Sequence, residues 1–474
     1  MKSRYALTIF SATLLSACAV GPDYHRPAID TASVFKEAPE GWKAAQPADA
    51  AKRGEWWKAF GDPTLDGLVD QLNQNNQTVA VAIANYRQAR AAAAQARASF
   101  FPSLSASLGA TRGRSSSATA GLTPVSNSKS VGLDAGWEPD LWGGIRRANE
   151  ESTAKAESSA ASLALARLTA QAELVQDYLQ LYVVHRQHEI TNDSVQSFQK
   201  TLQITRNQLA VGLVTPVDVA QAEAQVKSAE AQLLDYELSE RQLEHAIAIL
   251  VGKPPALFSV TPASVQPQMP DVPAQTPSSL LERRPDIAAA ERNMAAANAQ
   301  IGVAQAAFFP ALTLSATGGN IGSQFSRVLS TPLRNWSVGA TLAETLFDGG
   351  ARIAQKDAAV AAYDGAVAQY RQTVLGGLQE VEDNLAAIKL LADEYARQSE
   401  AVKAAREAER LSINEYKAGT VDFTVVVTNQ ASRHQAEISS LQIMGRRYST
   451  YATLVKALGG GWDGDLNPKL ADAK

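Results

Sequence analysis

This chain is a single unit written twice. Phe100-Phe101-Pro102 returns as Phe308-Phe309-Pro310, Gly143-Gly144 as Gly349-Gly350, Gly212 as Gly419 and Gly252 as Gly459, each about 207 residues further on. Glycine and proline mark where a backbone has to turn, so repeated punctuation means repeated topology. Each unit reads helix, strand, loop, strand, very long helix, tight turn, helix.

The strands alternate. Val131, Leu133, Ala135 and Trp137 are interleaved with Ser130, Gly132, Asp134 and Gly136, and Leu104, Ala106, Leu108 and Ala110 with serines and Gly109. The second unit repeats the pattern at Leu312, Leu314 and Ala316, then at Trp336, Val338, Ala340 and Leu342. A period of two puts apolar groups on one face and small or polar groups on the other. Each run approaches the roughly 9–11 residues of a tilted membrane strand. Phe100, Phe101, Trp137, Trp142, Phe308, Phe309 and Phe347 gather at one end of the runs, as an interfacial girdle requires. The Ser-, Gly- and Thr-rich stretches from Thr111 to Lys129 and from Gly319 to Asn335 read as loops beyond the far leaflet. Four strands cannot close a barrel, since the smallest membrane barrels use about eight and no open edge faces lipid. Several copies must each donate their strands; this count allows a dimer or a trimer.

The helices are too long for a globule. No proline occurs from Ile145 to Ala210 or from Ala351 to Ala418. About 66 helical residues at 1.5 Å each reach roughly 100 Å. Val195, Phe198, Leu202, Thr205 and Leu209 step by three and four, as in a coiled-coil seam. The next helix keeps this spacing through Val226, Ala229, Leu233, Tyr236, Leu243, Ile247 and Leu250, broken at Glu240; Ile438, Leu441, Tyr448, Ala452 and Val455 do so in the second unit. Alanine lies all round the long helices, so neighbours can approach on more than one side.

The chain starts like an exported protein. Lys2 and Arg4 precede a short apolar run from Tyr5 to Leu15, and Leu15-Ser16-Ala17-Cys18 looks like a lipobox whose cysteine becomes the acylated first residue. Ala19, where an aspartate would signal retention, favours the outer membrane. Cys18 is the only cysteine, so no internal disulfide is available. Loss of Lys2 and Arg4 takes the formal charge from −4 to −6, which argues against nucleic acid as a partner.

With these pieces assembled, the chain resembles the TolC-like outer-membrane factors, in their NodT-type efflux lipoprotein branch. The matching text is Cys18-Ala19-Val20-Gly21-Pro22-Asp23-Tyr24, then Trp56-Trp57 with Phe60-Gly61-Asp62-Pro63. Glu282-Arg283-Arg284-Pro285-Asp286-Ile287, both Phe-Phe-Pro segments and Gly212 to Val219 complete it. The resemblance implies a mixed α+β membrane protein, a trimeric α-barrel joined to a β-barrel. Each chain would be an internal duplication giving four strands and long coiled-coil helices. It also implies an exit duct for small molecules such as drugs in a tripartite efflux system. Its partners would be a homotrimer, a periplasmic adaptor (membrane-fusion) protein, an inner-membrane RND-type pump and outer-membrane lipid. The same duct serving type I protein secretion, and a pore-less lipid-anchored coiled coil, stand as alternatives.

On this reading residues 1–17 are a signal peptide and 18–67 a lipidated segment along the outside. The first repeat is 68–252, the proline-rich equatorial link 253–282, the second repeat 283–460 and the tail 461–474. Pro285 suits a first helical turn and Asp286 the positive end of the helix dipole, so that motif reads as structural.

The resemblance makes the turns between paired helices a closed gate and an adaptor-docking tip: Gly212, Thr215, Pro216, Val217 and Asp218 in one, Gly419, Asp422, Phe423, Val425 and Thr428 in the other. Relatives commonly carry an aspartate nine residues after the second tip glycine; here Thr428 stands there, and Val425 occupies another position that is often acidic. Asp218 and Asp422 are the remaining tip carboxylates. His185 and His188, three apart, have no evident third metal ligand, and no phosphate-binding glycine loop or nucleophile elbow occurs. No catalytic site, metal or cofactor is expected.

Overall fold

The computed structural model describes residues 19–29, 35–37, 54–114, 116–117, 121–122, 125–262, 265–270, 283–324, 326 and 335–469. The signal and Cys18 lie outside them, as do 271–282 of the link, the end of the tail and parts of both strand-connecting loops.

Helices α1 (Pro63–Asn75) and α2 (Gln77–Ala98) lead into strand β1 (Ser103–Gly113) and strand β2 (Ser126–Trp137). Helices α3 (Gly144–Ala210) and α4 (Pro216–Leu250) complete the first unit; α5 (Pro285–Ala306), β3 (Ala311–Gly322), β4 (Asn335–Ala343), α6 (Ala351–Lys417) and α7 (Phe423–Ala457) form the second. The duplication extends to element length. The long helices α3 and α6 each have 67 residues, α4 and α7 each 35, and α2 and α5 each 22. No helix among the described residues is long and apolar enough to cross a membrane.

Four turns share one geometry. Gly212, Gly252, Gly419 and Gly459 all have φ between +73° and +89°. In each, the glycine N–H donates three residues back and the next N–H five residues back: Gly212 to Leu209 and Leu213 to Gln208, Gly419 to Tyr416 and Thr420 to Glu415. Gly252 to Ile249 and Lys253 to Ala248, then Gly459 to Lys456 and Gly460 to Val455, repeat it. This is a Schellman closure, which uses the last helical carbonyls and needs a left-handed residue.

The chain divides into two compact units. One is drawn from residues 19–28, 86–159 and 290–370, the other from residues 35–37, 54–85, 160–289 and 371–469. The first carries the four-stranded antiparallel sheet, ordered β1-β2-β3-β4. The ladders extend further than the sequence suggested, to Gly113 opposite Ser126 and to Gly322 opposite Lys129. Backbone pairing there persists past the last apolar residue, so hydropathy marks where the apolar stripe stops and the ladder goes on. The loops are correspondingly shorter, and a two-residue ladder, Ser116–Ser117 with Gly121–Leu122, sits inside the first.

In the second compact unit Asn76 separates α1 from α2. Its side chain accepts from Val79 N (2.9 Å) and donates to Leu250 O (2.8 Å), so it caps one helix and ties it to the end of another. The domain boundary drawn at residue 67 therefore falls inside α1, whose cap is Asp62. Asp62 also accepts from the buried Tyr178 hydroxyl at 2.6 Å. The link packs through Gln268 N to Phe60 O (3.0 Å) and Tyr448 Oη to Pro267 O (2.7 Å). The Arg284-Pro285-Asp286 motif is structural. Pro285 opens α5, and the buried Arg284 donates to both Asp286 oxygens (3.0 and 2.7 Å), to Glu380 (2.9 Å) and to the Ala457 carbonyl (2.9 Å).

Candidate functional site

Sheet register decides which side chains share a face. Leu104 stands opposite Ala135, Ala135 opposite Ala316 and Ala316 opposite Val338. The neighbouring rows hold Ala106, Leu133, Gly318 and Trp336; Leu108, Val131 and Asn320; and Trp137, Leu314 and Ala340. Leu312 with Leu342 closes the series. Directly opposed residues point the same way, so the apolar positions of all four strands coincide on one face, with Ile321, opposite Ser130 on the other face, as the exception. The opposite face carries Ser103, Ser105, Ser107, Ser130, Ser315, Thr317 and Ser337 with interspersed glycines. Asp134 is its one ionisable side chain among the described strand residues.

Much of the apolar face is exposed among the described residues. Leu104 is 73% exposed, Trp336 75% and Val338 74%. From the Leu312 row to the Leu108 row is about eight residues, or ~27 Å along a strand and ~20 Å along the normal of a sheet tilted by about 40°. That is near the roughly 25 Å apolar band of outer-membrane barrels. Among the described residues, β1 and β4 each keep an unpaired edge in the four-stranded order.

The predicted aromatics collect at the sheet's helix-proximal end. Trp137 Nε1 donates to Phe100 O (3.1 Å) and Trp142 Nε1 to Pro310 O (2.7 Å). Trp142 stacks on Phe309 with centroids 5.0 Å apart, and Arg352 lies over Phe308. Phe101 and Phe347 are exposed.

The residues that follow Cys18 dock at this rim. Val20 N donates to Trp142 O at 2.9 Å. Arg147 donates to the carbonyls of Val20 and Gly21 (both 3.3 Å) and to Asp23 (2.7 Å), holding the Asp23 carboxyl below its ordinary range. Asn298 Nδ2 donates to Pro22 O (2.9 Å) and Tyr24 Oη to Glu291 (2.5 Å). A Cβ on Gly21 would lie 2.5 Å from Gly302 Cα, so the two glycines permit the close approach. The Ala19-to-Tyr24 motif is thus a strap, and its partner Arg147 carried no signal in the sequence.

At the tip, Val195, Phe198 and Leu202 of α3, Ala222, Val226 and Ala229 of α4, Tyr416, and Phe423 and Val426 of α7 form one apolar cluster. Both helical pairs of the chain contribute to it, and Tyr416 donates across to Gln208. Polar layers lie beside it. Gln430 donates to Ser197 (3.2 Å) and Thr201 (3.1 Å), and Glu437 accepts from Arg433 (2.6 Å) and Arg406 (2.7 Å). Glu240, the break in the seam, meets His185 at 3.0 Å.

The tip residues fall into three groups. Phe423 is buried, so it builds the core under the turn instead of the tip's outer surface. Asp218 reaches back to Thr215, accepting from its N–H and its hydroxyl, both at 2.8 Å, while Pro216 opens α4. This is half of a capping box. Asp422 precedes α7 as N-cap residue, is exposed and makes no side-chain cap bond. Val217, Val425 and Thr428 are exposed, with Thr428 Oγ1 turned back on the Thr424 carbonyl at 2.8 Å. Two exposed apolar residues escaped the sequence reading: Val211 (70%) and Leu213 (72%), flanking Gly212. Schellman spacing places them outside the seam and was the signal available.

These features agree with the comparisons. The sequence matches the outer membrane efflux protein family over residues 68–253 and 276–460. The chain belongs to this family. It is 32% identical to the pyoverdine export outer membrane protein OpmQ of Pseudomonas aeruginosa, covering 90% of this chain and 92% of that one. Over 97% of its length it is 29% identical to the probable efflux pump outer membrane protein TtgC of Pseudomonas putida, 96% of which is covered. The outer-membrane channel OprN superposes with a TM-score of 0.84 at 32% identity, covering 94% of this chain and all of that one. The open-state MtrE channel of Neisseria gonorrhoeae does so at 0.81 and 27%, covering 95% and all. The chain is an outer-membrane efflux channel component with the α/β-barrel fold of its family.

Proposed function

We propose that three copies of this chain form the exit duct of a tripartite efflux system. The duct receives small molecules from an inner-membrane RND-type pump through a periplasmic adaptor. The register carries this reading: one continuous apolar face, one serine- and glycine-rich face, and two open edges. Three four-stranded sheets joined edge to edge give twelve strands, whose polar faces line an aqueous lumen of ~12 Å backbone radius. The relatives' names, pyoverdine export and antibiotic and toluene efflux, favour small molecules over secreted proteins.

Cys18 is the lipidation site in this scheme. Its neighbour Ala19 lies against Gly143, whose Cβ would come within 2.9 Å of Ala19 Cα. The strap therefore ends at the aromatic rim, and acyl chains would enter the membrane at the depth where Trp142 and Phe309 mark the interface. The tips, with exposed Val211, Leu213, Val217, Val425 and Asp422, are the gate and the adaptor-docking surface.

Purified protein reconstituted in planar bilayers tests the duct. A cross-linkable trimer with ionic conductance is expected; a trimer that never conducts, or a monomer alone, overturns the reading. Radiolabelled palmitate should label the parent and leave Cys18→Ala unlabelled.

A further inference from the structure

We propose that the outer end of the sheet's apolar face is a binding surface for phosphate-bearing lipid headgroups of the outer leaflet. The inference rests on the duct reading, which puts that face against lipid. It starts from an imbalance of charge. The chain is net acidic, yet residues 103–133 and 311–343 hold five basic side chains and no Asp or Glu.

The register shows where two of these cations stand. Lys129 is opposite Ala110 and Gly322, in the row directly beyond Leu108 and Val131. Arg112, opposite Asn127, is one row further out, on the strand beside Lys129. Both belong to the face of Leu104, Leu133 and Val338, and neither to the serine face. Arg114 follows past the end of β1, exposed. Trp336, in the Leu133 row, supplies an exposed amphipathic ring two rows nearer the membrane centre than Lys129. Away from the helix-proximal rim this face thus runs through apolar rows that include Trp336, past Leu108 and Val131, to the cations.

That order matches the passage from acyl chain to headgroup. A cation at mid-membrane would be excluded, whereas one at the interface costs little and attracts anionic headgroups. Facing away from the polar face, Arg112 and Lys129 are not placed to act on a solute leaving through the lumen. Their diagonal placement, about 7–8 Å apart, suits two cations sharing one headgroup with two phosphates.

The test uses the full-length purified protein and fluorescent lipid A in two forms, bis-phosphorylated and fully dephosphorylated. The parent is expected to bind the phosphorylated form at least tenfold more tightly, with the difference shrinking as salt is raised from about 50 to 300 mM. The double variant Arg112→Gln, Lys129→Gln should lose roughly tenfold or more of that affinity and keep its affinity for the dephosphorylated form. The charge-preserving Arg112→Lys, Lys129→Arg variant should keep both. Equal affinity for the two lipids in the parent overturns the proposal even if the double variant does not fold; undiminished affinity in a folded double variant overturns it too. Conductance is recorded on the same parent preparation. A conducting trimer indifferent to lipid phosphate removes this inference alone, and a protein that neither trimerises nor conducts removes the duct reading beneath it.

Discussion

Alanine at the four Schellman glycines should separate two costs that sequence treats as one. All four residues sit at positive φ, so an L side chain at any of them costs about 1–2 kcal/mol in backbone conformation. Their surroundings differ. Nothing lies within 4 Å of a Cβ built on Gly212 or Gly419. A Cβ on Gly252 would lie 2.4 Å from the Asn75 carbonyl oxygen, and one on Gly459 2.2 Å from that of Arg283. Those neighbours are backbone, so α1's last turn or the start of α5 must move, adding about 1–3 kcal/mol.

Gly212→Ala and Gly419→Ala should therefore cost about 1–2 kcal/mol per chain, and Gly252→Ala and Gly459→Ala about 2–5 kcal/mol. The assay is the denaturant midpoint of the assembled protein beside drug susceptibility of cells carrying each variant. The tip variants should assemble at near-parental levels, with any export defect arising at the turn. The other pair should lower assembled protein itself. Equal destabilisation of Gly212→Ala and Gly252→Ala would refute the reasoning, because the two share φ and differ only in what the Cβ meets.

Phe423→Ala should cost about 3–5 kcal/mol in a denaturant series, as removal of a core ring does, where a residue used only for docking would leave stability unchanged. Arg284→Ala should lose about 3–5 kcal/mol and most of the assembled protein, since Asp286 and Glu380 are left without their shared cation. Burial, with Glu173 beside it, pushes the Asp177 carboxyl up to about 6. The folded state thus disfavours its ionised form, so this group contributes stability below the ordinary aspartate range that is lost as pH rises toward 6; Asp177→Asn should raise the melting temperature at pH 8, worth about 1 kcal/mol after solvent screening, and not at pH 3. At the proposed gate, Thr428→Asp should add a divalent-cation block applied from the tip side. If the parent is already blocked, Asp422→Asn should relieve it while Asp218→Asn only frays the start of α4; relief by Asp218→Asn would contradict its role as a cap.

How much of this was legible depends on the range of the interaction. The duplication and the four main strands were readable because glycine, proline and period-two hydropathy act locally. The long helices announced themselves for the same reason, α3 and α6 each ending two residues before a tip glycine, Gly212 or Gly419. Asp218 was readable in principle as well: Thr-x-x-Asp ahead of an apolar run is a capping pattern, although it suggests a pore carboxylate equally well until the hydrogen bonds are seen. Phe423 shows the limit. An aromatic beside a turn looks like a tip residue, and only the approach of α3 and α4, more than 190 residues earlier in the chain, makes it core. The strap is similar, since Arg147 meets Asp23 across 124 residues of sequence.

The sheet illustrates why pairing carries more than alternation. Each strand alone has an apolar and a polar side, and four such strands could align their stripes or scatter them. A one-residue slip in any ladder would turn that strand's Leu or Trp residues onto the serine face. The observed register aligns all four, and it places Lys129 and Arg112 at the end of the apolar stripe and Asp134 on the opposite face. The sign and position of these charges follow from register, so a wall that separates lipid from an aqueous path is specified by the pairing of strands whose individual sequences are equally compatible with a half-buried soluble sheet.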